Sequence, residues 1–164
     1  MKRLILMRHA KSDWSDLDAS DHERTLNPRG IRSATAMGAW LKQNDILPDQ
    51  ILCSDAARTQ QTLELLGLPE APVAFQRDLY LAQAEVMAQA IKKQSGECLL
   101  LVAHNAGIAV LAEQMVGQPP KDPEFDSFPT CATLVLDFDI AEWSEMKMGT
   151  GMVQHFIVPR SLTE

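Results

Sequence analysis

The sequence predicts an α/β fold, a three-layer α/β/α sandwich on a mostly parallel central sheet. Short, nearly continuous apolar runs occur at 3–7 (RLILM), 50–53 (QILC) and 98–103 (CLLLVA). They lack polar alternation, as strands covered on both faces do. Helical patterns fall between these runs, and such alternation of strand and helix builds parallel sheets.

In chain order, RLILM is the first strand. Asn27 before Pro28 offers an N-cap with proline at the first helical position, and Ile31, Ala34, Gly38 and Leu41, flanked by Met37 and Trp40, form an apolar stripe. A helix over 28–43 follows from this. After QILC, a helix is expected from Ala56 to Leu66, stopped by Gly67 with Pro69 beyond. Val86, Met87, Ala90 and Ile91 predict a third helix. Ile108, Leu111, Ala112 and Met115 fall at helical spacing and predict a fourth, ended by Gly117 before Pro119 and Pro120. TLVLDF at 133–138 and VQHFIV at 153–158 are the late strands. With no repeat, low-complexity tract or linker, one domain over 1–164 is expected. The segment 10–27 carries Asp13, Asp16, Asp18, Asp21 and Glu23 among Lys11, His22 and Arg24, and reads as a solvated charged loop or a mobile rim beside a site.

At 164 residues and 46% hydrophobic content the chain can bury a core without staples. No apolar run approaches the roughly 18 residues of a membrane span, and the chain enters a strand without a signal-peptide pattern, so a cytoplasmic protein with no membrane partner is expected. Cys53, Cys98 and Cys131 each lie in or beside an apolar segment and read as reduced core residues rather than metal ligands or disulfides. A net charge of −7 leaves no broad basic surface for nucleic acid. Any bound anion must therefore be held by a local cluster of positive groups. No calcium-loop pattern occurs, and neither a metal nor a cofactor is expected.

Ligands of open parallel sheets bind outside the carboxyl ends of the strands. His9, the turn from Ser54 to Arg58, and His104 all fall at such ends. Ser54 and Asn105 can each cap the helix that follows, aiming free N–H groups at the same region. A doubly charged phosphoryl group is the natural guest. The motifs M-R-H-A at 7–10, S-x-x-x-R-x-x-x-T at 54–62 and L-V-A-H-N at 101–105 resemble the three signatures of the histidine phosphatase (phosphoglycerate mutase-like) superfamily. RHAKSDW, DHERTLNPRG at 21–30, DLY at 78–80 and FPT at 128–130 resemble its SixA-type phosphohistidine phosphatase branch. The resemblance spans about residues 3–138.

It implies the phosphoglycerate mutase-like fold and a metal-independent phosphatase working through a phosphohistidine intermediate. His9 would be the nucleophile, oriented by a backbone carbonyl, and Arg8, Arg58 and His104 would hold the phosphoryl oxygens. Asn105 joins them as a substrate-binding candidate, as does Arg24, unless its charge serves a salt bridge within its own loop. Chemically, His9 must be unprotonated at the attacking nitrogen, and the arginines favour that; His104 serves best as a charged donor. The implied substrate is a phosphohistidine domain of a protein. The alternatives are a small phosphoester hydrolysed by the same mechanism and, from another class, a non-catalytic anion-binding or scaffold protein.

Several positions depart from the superfamily pattern. Ala10 stands where Gly is usual, Thr25 where Pro commonly follows Arg24, and Leu81 where many relatives carry an acidic residue that protonates the leaving group. Asp78, Glu85 and Asp13 are substitutes by sequence proximity alone. His22 and His155 lack partners at ligand spacing and read as solvent-facing or strand-edge residues. Gly107 permits either close approach of a helix start to the pocket or simple packing. Trp14 either lines the entrance for a protein partner or covers the sheet edge. Few residues are available for a lid, so a shallow site is expected.

Overall fold

The structure, a computed structural model, describes residues 1–163. Six strands form one sheet: β1 (Lys2–Arg8), β2 (Gln50–Ser54), β3 (Val73–Gln76), β4 (Cys98–Ala103), β5 (Thr133–Phe138) and β6 (Met152–Ile157), in the order β3-β2-β4-β1-β5-β6. The first four of that order run parallel, and β5 enters antiparallel between β1 and β6. The helices are α1 (Pro28–Gln43), α2 (Ala57–Leu66), α3 (Ala84–Lys92), α4 (Gly107–Met115) and the single turn α5 (Arg160–Thr163).

Strand alternation divides the core. Leu4 and Leu6 of β1, with Leu99 and Leu101 of β4, face Met87, Ile91, Ile108 and Leu111 of α3 and α4. Ile5 and Met7, with Leu100 and Val102, face Ala34, Met37 and Leu41 of α1 and Leu66 of α2. Both faces of the central strands are therefore covered, and this is why their sequences read as continuous apolar runs. The α/β/α sandwich with a mostly parallel sheet is as expected. Asn27 Oδ1 accepts the Gly30 N–H at 2.8 Å and caps α1, and Gly67 ends α2 at φ 60°, in the left-handed region.

Several local expectations need correction. β3 was not anticipated: its VAFQ is a four-residue edge strand with an exposed pattern and no buried apolar run to signal it. Neither Ser54 nor Asn105 is an N-cap. Ala56 and Ala106 hold those positions without side-chain capping: Ser54 Oγ takes the Ala56 N–H just ahead of the helix and meets His104, and Asn105 Nδ2 donates to the Ser127 and Phe128 carbonyls. Gly107 serves packing, since a Cβ there would stand 1.9 Å from the Ala82 carbonyl oxygen. Cys53 and Cys131 are buried, Cys98 is half-buried, and all three are free. Among the described residues no helix is long and apolar enough to cross a membrane.

Candidate active site

The carboxyl ends of β1, β2 and β4 converge, bringing Arg8, His9, Arg58 and His104 together. The β1 end is held by its neighbours: the His9 N–H donates to the Ala103 carbonyl at 3.0 Å, and the His9 carbonyl accepts from Cys131 N–H at 2.9 Å. The loop after it is fixed by α2, for Ala10 N–H donates to Thr62 Oγ1 at 3.0 Å while that hydroxyl donates to the Arg58 carbonyl at 2.7 Å. The R-x-x-x-T spacing thus places one helical turn of α2 against the histidine-bearing loop.

His9 is 6% exposed and His104 is 1% exposed, with ring centroids 5.3 Å apart. Asp21 of the loop 10–27 bonds the Arg58 guanidinium. His9 Nδ1 lies 2.7 Å from the Ala10 carbonyl oxygen. A carbonyl can only accept, so Nδ1 carries the proton and Nε2 keeps its lone pair. Burial, followed by the charges of Arg58, Arg8 and Arg24, outweighs the hydrogen bond to Ala10 and lowers the His9 pKa to about 3.

His104 corrects an expectation. Burial, together with His9 and Arg58, lowers its pKa to about 3 as well, so in the free protein it is neutral rather than a charged donor. Its Nε2 lies 2.8 Å from Ser54 Oγ, and its buried Nδ1 has no partner. Arg8 Nε and Arg58 Nε are likewise buried and unpartnered. Buried polar groups are normally paired, so these three nitrogens are the ones an acceptor-rich ligand would pair with.

Asp21 was not singled out as a site residue, yet it ties the pocket together. Arg58 donates through Nη1 to its carbonyl at 2.6 Å and through Nη2 to its Oδ2 at 3.0 Å. Arg24 Nη1 donates to Oδ1 at 2.5 Å, and the Tyr80 hydroxyl donates to Oδ2. Partial burial pushes the Asp21 carboxyl up, but hydrogen bonds from Tyr80, Arg24 and Arg58 hold it far below the usual carboxylate range. Tyr80 also meets His104 edge-on, with centroids 5.4 Å apart. The only prior signals for these two residues were the DHER and DLY strings.

The remaining candidates sort as follows. Arg24 forms the loop salt bridge just described, bonds Ser12 Oγ at 3.0 Å, and adds its charge to the field at His9. Asn105 donates through Nδ2 to the carbonyls of Ser127 (2.9 Å) and Phe128 (3.2 Å), the second of which also accepts from Arg8 Nη1; Asn105 Oδ1 is buried without a partner. Trp14 stays 66% exposed and lies 3.5 Å over the Arg24 guanidinium, not on a sheet edge. His22 has partners after all: Nε2 bonds Asp55 Oδ1 at 2.7 Å and the ring meets Tyr80 edge-on. His155 is on edge strand β6 and meets Trp40. Among the described residues none of the proposed acids bonds to Arg8, His9, Arg58 or His104. Asp13 accepts from Ser15 within its own loop, and Asp78 and Glu85 border a groove beside α3. Among the described residues, no group of three His, Cys, Asp or Glu side chains could hold a metal ion.

A parallel α/β sheet with two histidines and two guanidiniums at its carboxyl edge defines the class of a phosphoryl-handling enzyme. The model of the histidine phosphatase superfamily (branch 1) matches residues 4–80. An uncharacterized protein of Mycobacterium leprae is 33% identical over 163 residues, covering 94% of this chain and all of the relative. Two solved structures of candidate phosphohistidine phosphatases SixA share the fold. The one from Agrobacterium tumefaciens has TM-score 0.81 and 26% identity, covering 96% of this chain and 98% of that one. The one from Nakamurella multipartitia has TM-score 0.77 and 27% identity, covering 96% and 97%. The chain belongs to the histidine phosphatase superfamily, and its class of enzyme is a phosphatase.

Proposed function

We propose that the protein removes phosphoryl groups from phosphohistidine on a protein, with His9 as the nucleophile. The observation that carries this is the unprotonated His9 Nε2 in the field of Arg58 and Arg8 and 5.3 Å, ring to ring, from His104, with Arg8 Nε, Arg58 Nε and His104 Nδ1 buried and without hydrogen-bond partners. The bond from phosphorus to the substrate's imidazole nitrogen breaks as a bond from phosphorus to His9 Nε2 forms. Arg8, Arg58 and His104 hold the three equatorial oxygens, and Arg24 and Asn105 complete the substrate contacts. Water then attacks phosphorus, releasing inorganic phosphate and free His9.

Two features favour a phosphohistidine over a phosphate ester. The carboxylate in the pocket, Asp21, is ionised and has no proton to give an alkoxide, whereas an imidazole leaves with less help. Beside Tyr80 and Asn105, a groove of about 480 Å³ is lined by Leu81, Ala106, Val110 and Glu85 and carries no cation. It suits neutral or basic polypeptide better than the further anionic groups of many metabolites. The two SixA-named structural relatives support the same substrate class.

The test compares turnover of a phosphohistidine phosphocarrier protein, p-nitrophenyl phosphate and sugar phosphates. The phosphohistidine protein is expected to give the highest kcat/KM; preference for a sugar phosphate would instead support a small-molecule phosphomonoesterase. His9→Ala is expected to abolish turnover of all of them. An acid-labile 32P label trapped on wild type and absent from His9→Ala would exclude a non-catalytic anion-binding role.

A further inference from the structure

We propose that Ser54 is a positioning residue: its hydroxyl fixes the neutral tautomer of His104, placing the ring proton on the buried, unpartnered Nδ1 as a donor for the ligand. The tautomer follows from the hydrogen bonds alone; only the identification of the acceptor as a phosphoryl oxygen rests on the function proposed above.

Ser54 is fully buried at the end of β2. Its Oγ accepts the Ala56 N–H at 3.3 Å and lies 2.8 Å from His104 Nε2. A hydroxyl has one proton to donate. The neighbouring Thr59 hydroxyl spends its own proton on the carbonyls of Ser54 and Ala56, at 2.7 and 2.9 Å, and makes no bond to Ser54 Oγ. Among the described residues, His104 Nε2 is the acceptor within reach of the Ser54 hydroxyl. With its lone pair so used, Nε2 carries no proton, and in a neutral ring the proton is then on Nδ1. The opposite tautomer would leave a buried hydroxyl proton unpaired and strip Nδ1 of the proton that a donor needs.

Burial against His9 and Arg58 disfavours the doubly protonated ring, which agrees with a neutral donor. The arrangement resolves a conflict in the pocket. His9 must stay unprotonated beside two guanidiniums, and a third full charge 5.3 Å away would add little that a fixed N–H does not already supply. Ser54 and Arg58 belong to one segment, so a single strand-to-helix turn supplies both a guanidinium and the group that orients the second histidine.

The direct test is a long-range nitrogen-15 spectrum of the histidine side chains of the wild-type protein, with His104 assigned through its loss in His104→Gln. A protonated-type signal at Nδ1 and an unprotonated-type signal at Nε2, unchanged from pH 8 to pH 5, is the expected result. A proton on Nε2, or an imidazolium forming near pH 6.5, would overturn the proposal. Ser54→Ala is expected to mix the tautomers and lower kcat about tenfold on the phosphohistidine protein and p-nitrophenyl phosphate alike; Ser54→Thr, which keeps the hydroxyl, should recover most of it. An Ala variant with wild-type kcat and an unchanged spectrum would also overturn it. The wild-type spectrum decides even if Ser54→Ala does not fold. It also separates this proposal from the functional reading, which stands or falls on the His9 phosphoenzyme.

Discussion

At the scale of the residue, the pocket is governed by where donors lack acceptors. Asp21 takes up the Nη1 and Nη2 ends of Arg58 and leaves Nε free, so one guanidinium is both anchored and available. The same carboxylate offsets part of the positive charge that His9 and His104 must tolerate. Asp21→Asn removes the charge while keeping the shape. Inorganic phosphate should then bind several-fold tighter, because two guanidiniums lose their counter-charge. Turnover should fall about tenfold, because one of the two carboxylate oxygens shared by Arg58, Arg24 and Tyr80 becomes an amide nitrogen that cannot accept from them. Product-inhibition constants and kcat measured on the same variant check both directions; weaker phosphate binding with unchanged kcat would contradict this account of Asp21.

At the scale of the element, backbones meet where glycine permits it. A Cβ on Gly38 of α1 would stand 1.9 Å from the carbonyl oxygen of Leu66 in α2, and that oxygen belongs to backbone that cannot swing aside. Alanine improves helix propensity by about 1 kcal/mol, but overpacking of this kind costs about 1–3 kcal/mol, and relief requires moving one helix off the other. Gly38→Ala should therefore destabilise by about 2 kcal/mol, seen as a lower urea midpoint. Gly38 read from the sequence only as part of an apolar stripe, which illustrates what was legible and what was not. Elements buried on both sides, such as β1 and β4, announce themselves, and α1 does so through Asn27-Pro28. β3 was missed because an exposed edge strand needs no apolar run. Arg8, His9, Arg58 and His104 were visible because they end readable strands or begin a readable helix. Asp21 and Tyr80 were not, because they reach the pocket across 37 and 24 residues of chain from Arg58 and His104, through contacts that have no local periodicity. Local pairing is the default for such side chains, and it suggests Ser54 and Asn105 as caps; Asn105 instead bonds carbonyls 22 and 23 residues away, and Ser54 combines the Ala56 N–H with the distant His104.

At the scale of the whole molecule, building the pocket into the floor of the fold ties stability to pH. His9 and His104 each have a folded pKa of about 3 against an ordinary 6.5. Above pH 6.5 both are neutral whether the chain is folded or not, and neither makes stability depend on pH. As pH falls through 6.5 the unfolded chain takes up two protons that the folded protein refuses until near pH 3, so stability drops across that window. One proton contributes about 1.4 kcal/mol per pH unit, giving a limiting slope near 2.7 kcal/mol per unit from the pair. The Asp21 carboxylate, held low by Tyr80, Arg24 and Arg58, acts in the same direction at the acid end, where the unfolded chain protonates it first. Urea denaturation followed at half-unit steps from pH 7 to pH 4 should show this fall. His9→Gln and His104→Gln should each remove about 1.4 kcal/mol per pH unit from the slope, since each deletes one of the two protons. An unchanged slope in both variants would mean that the buried imidazoles do not govern the acid stability of this fold.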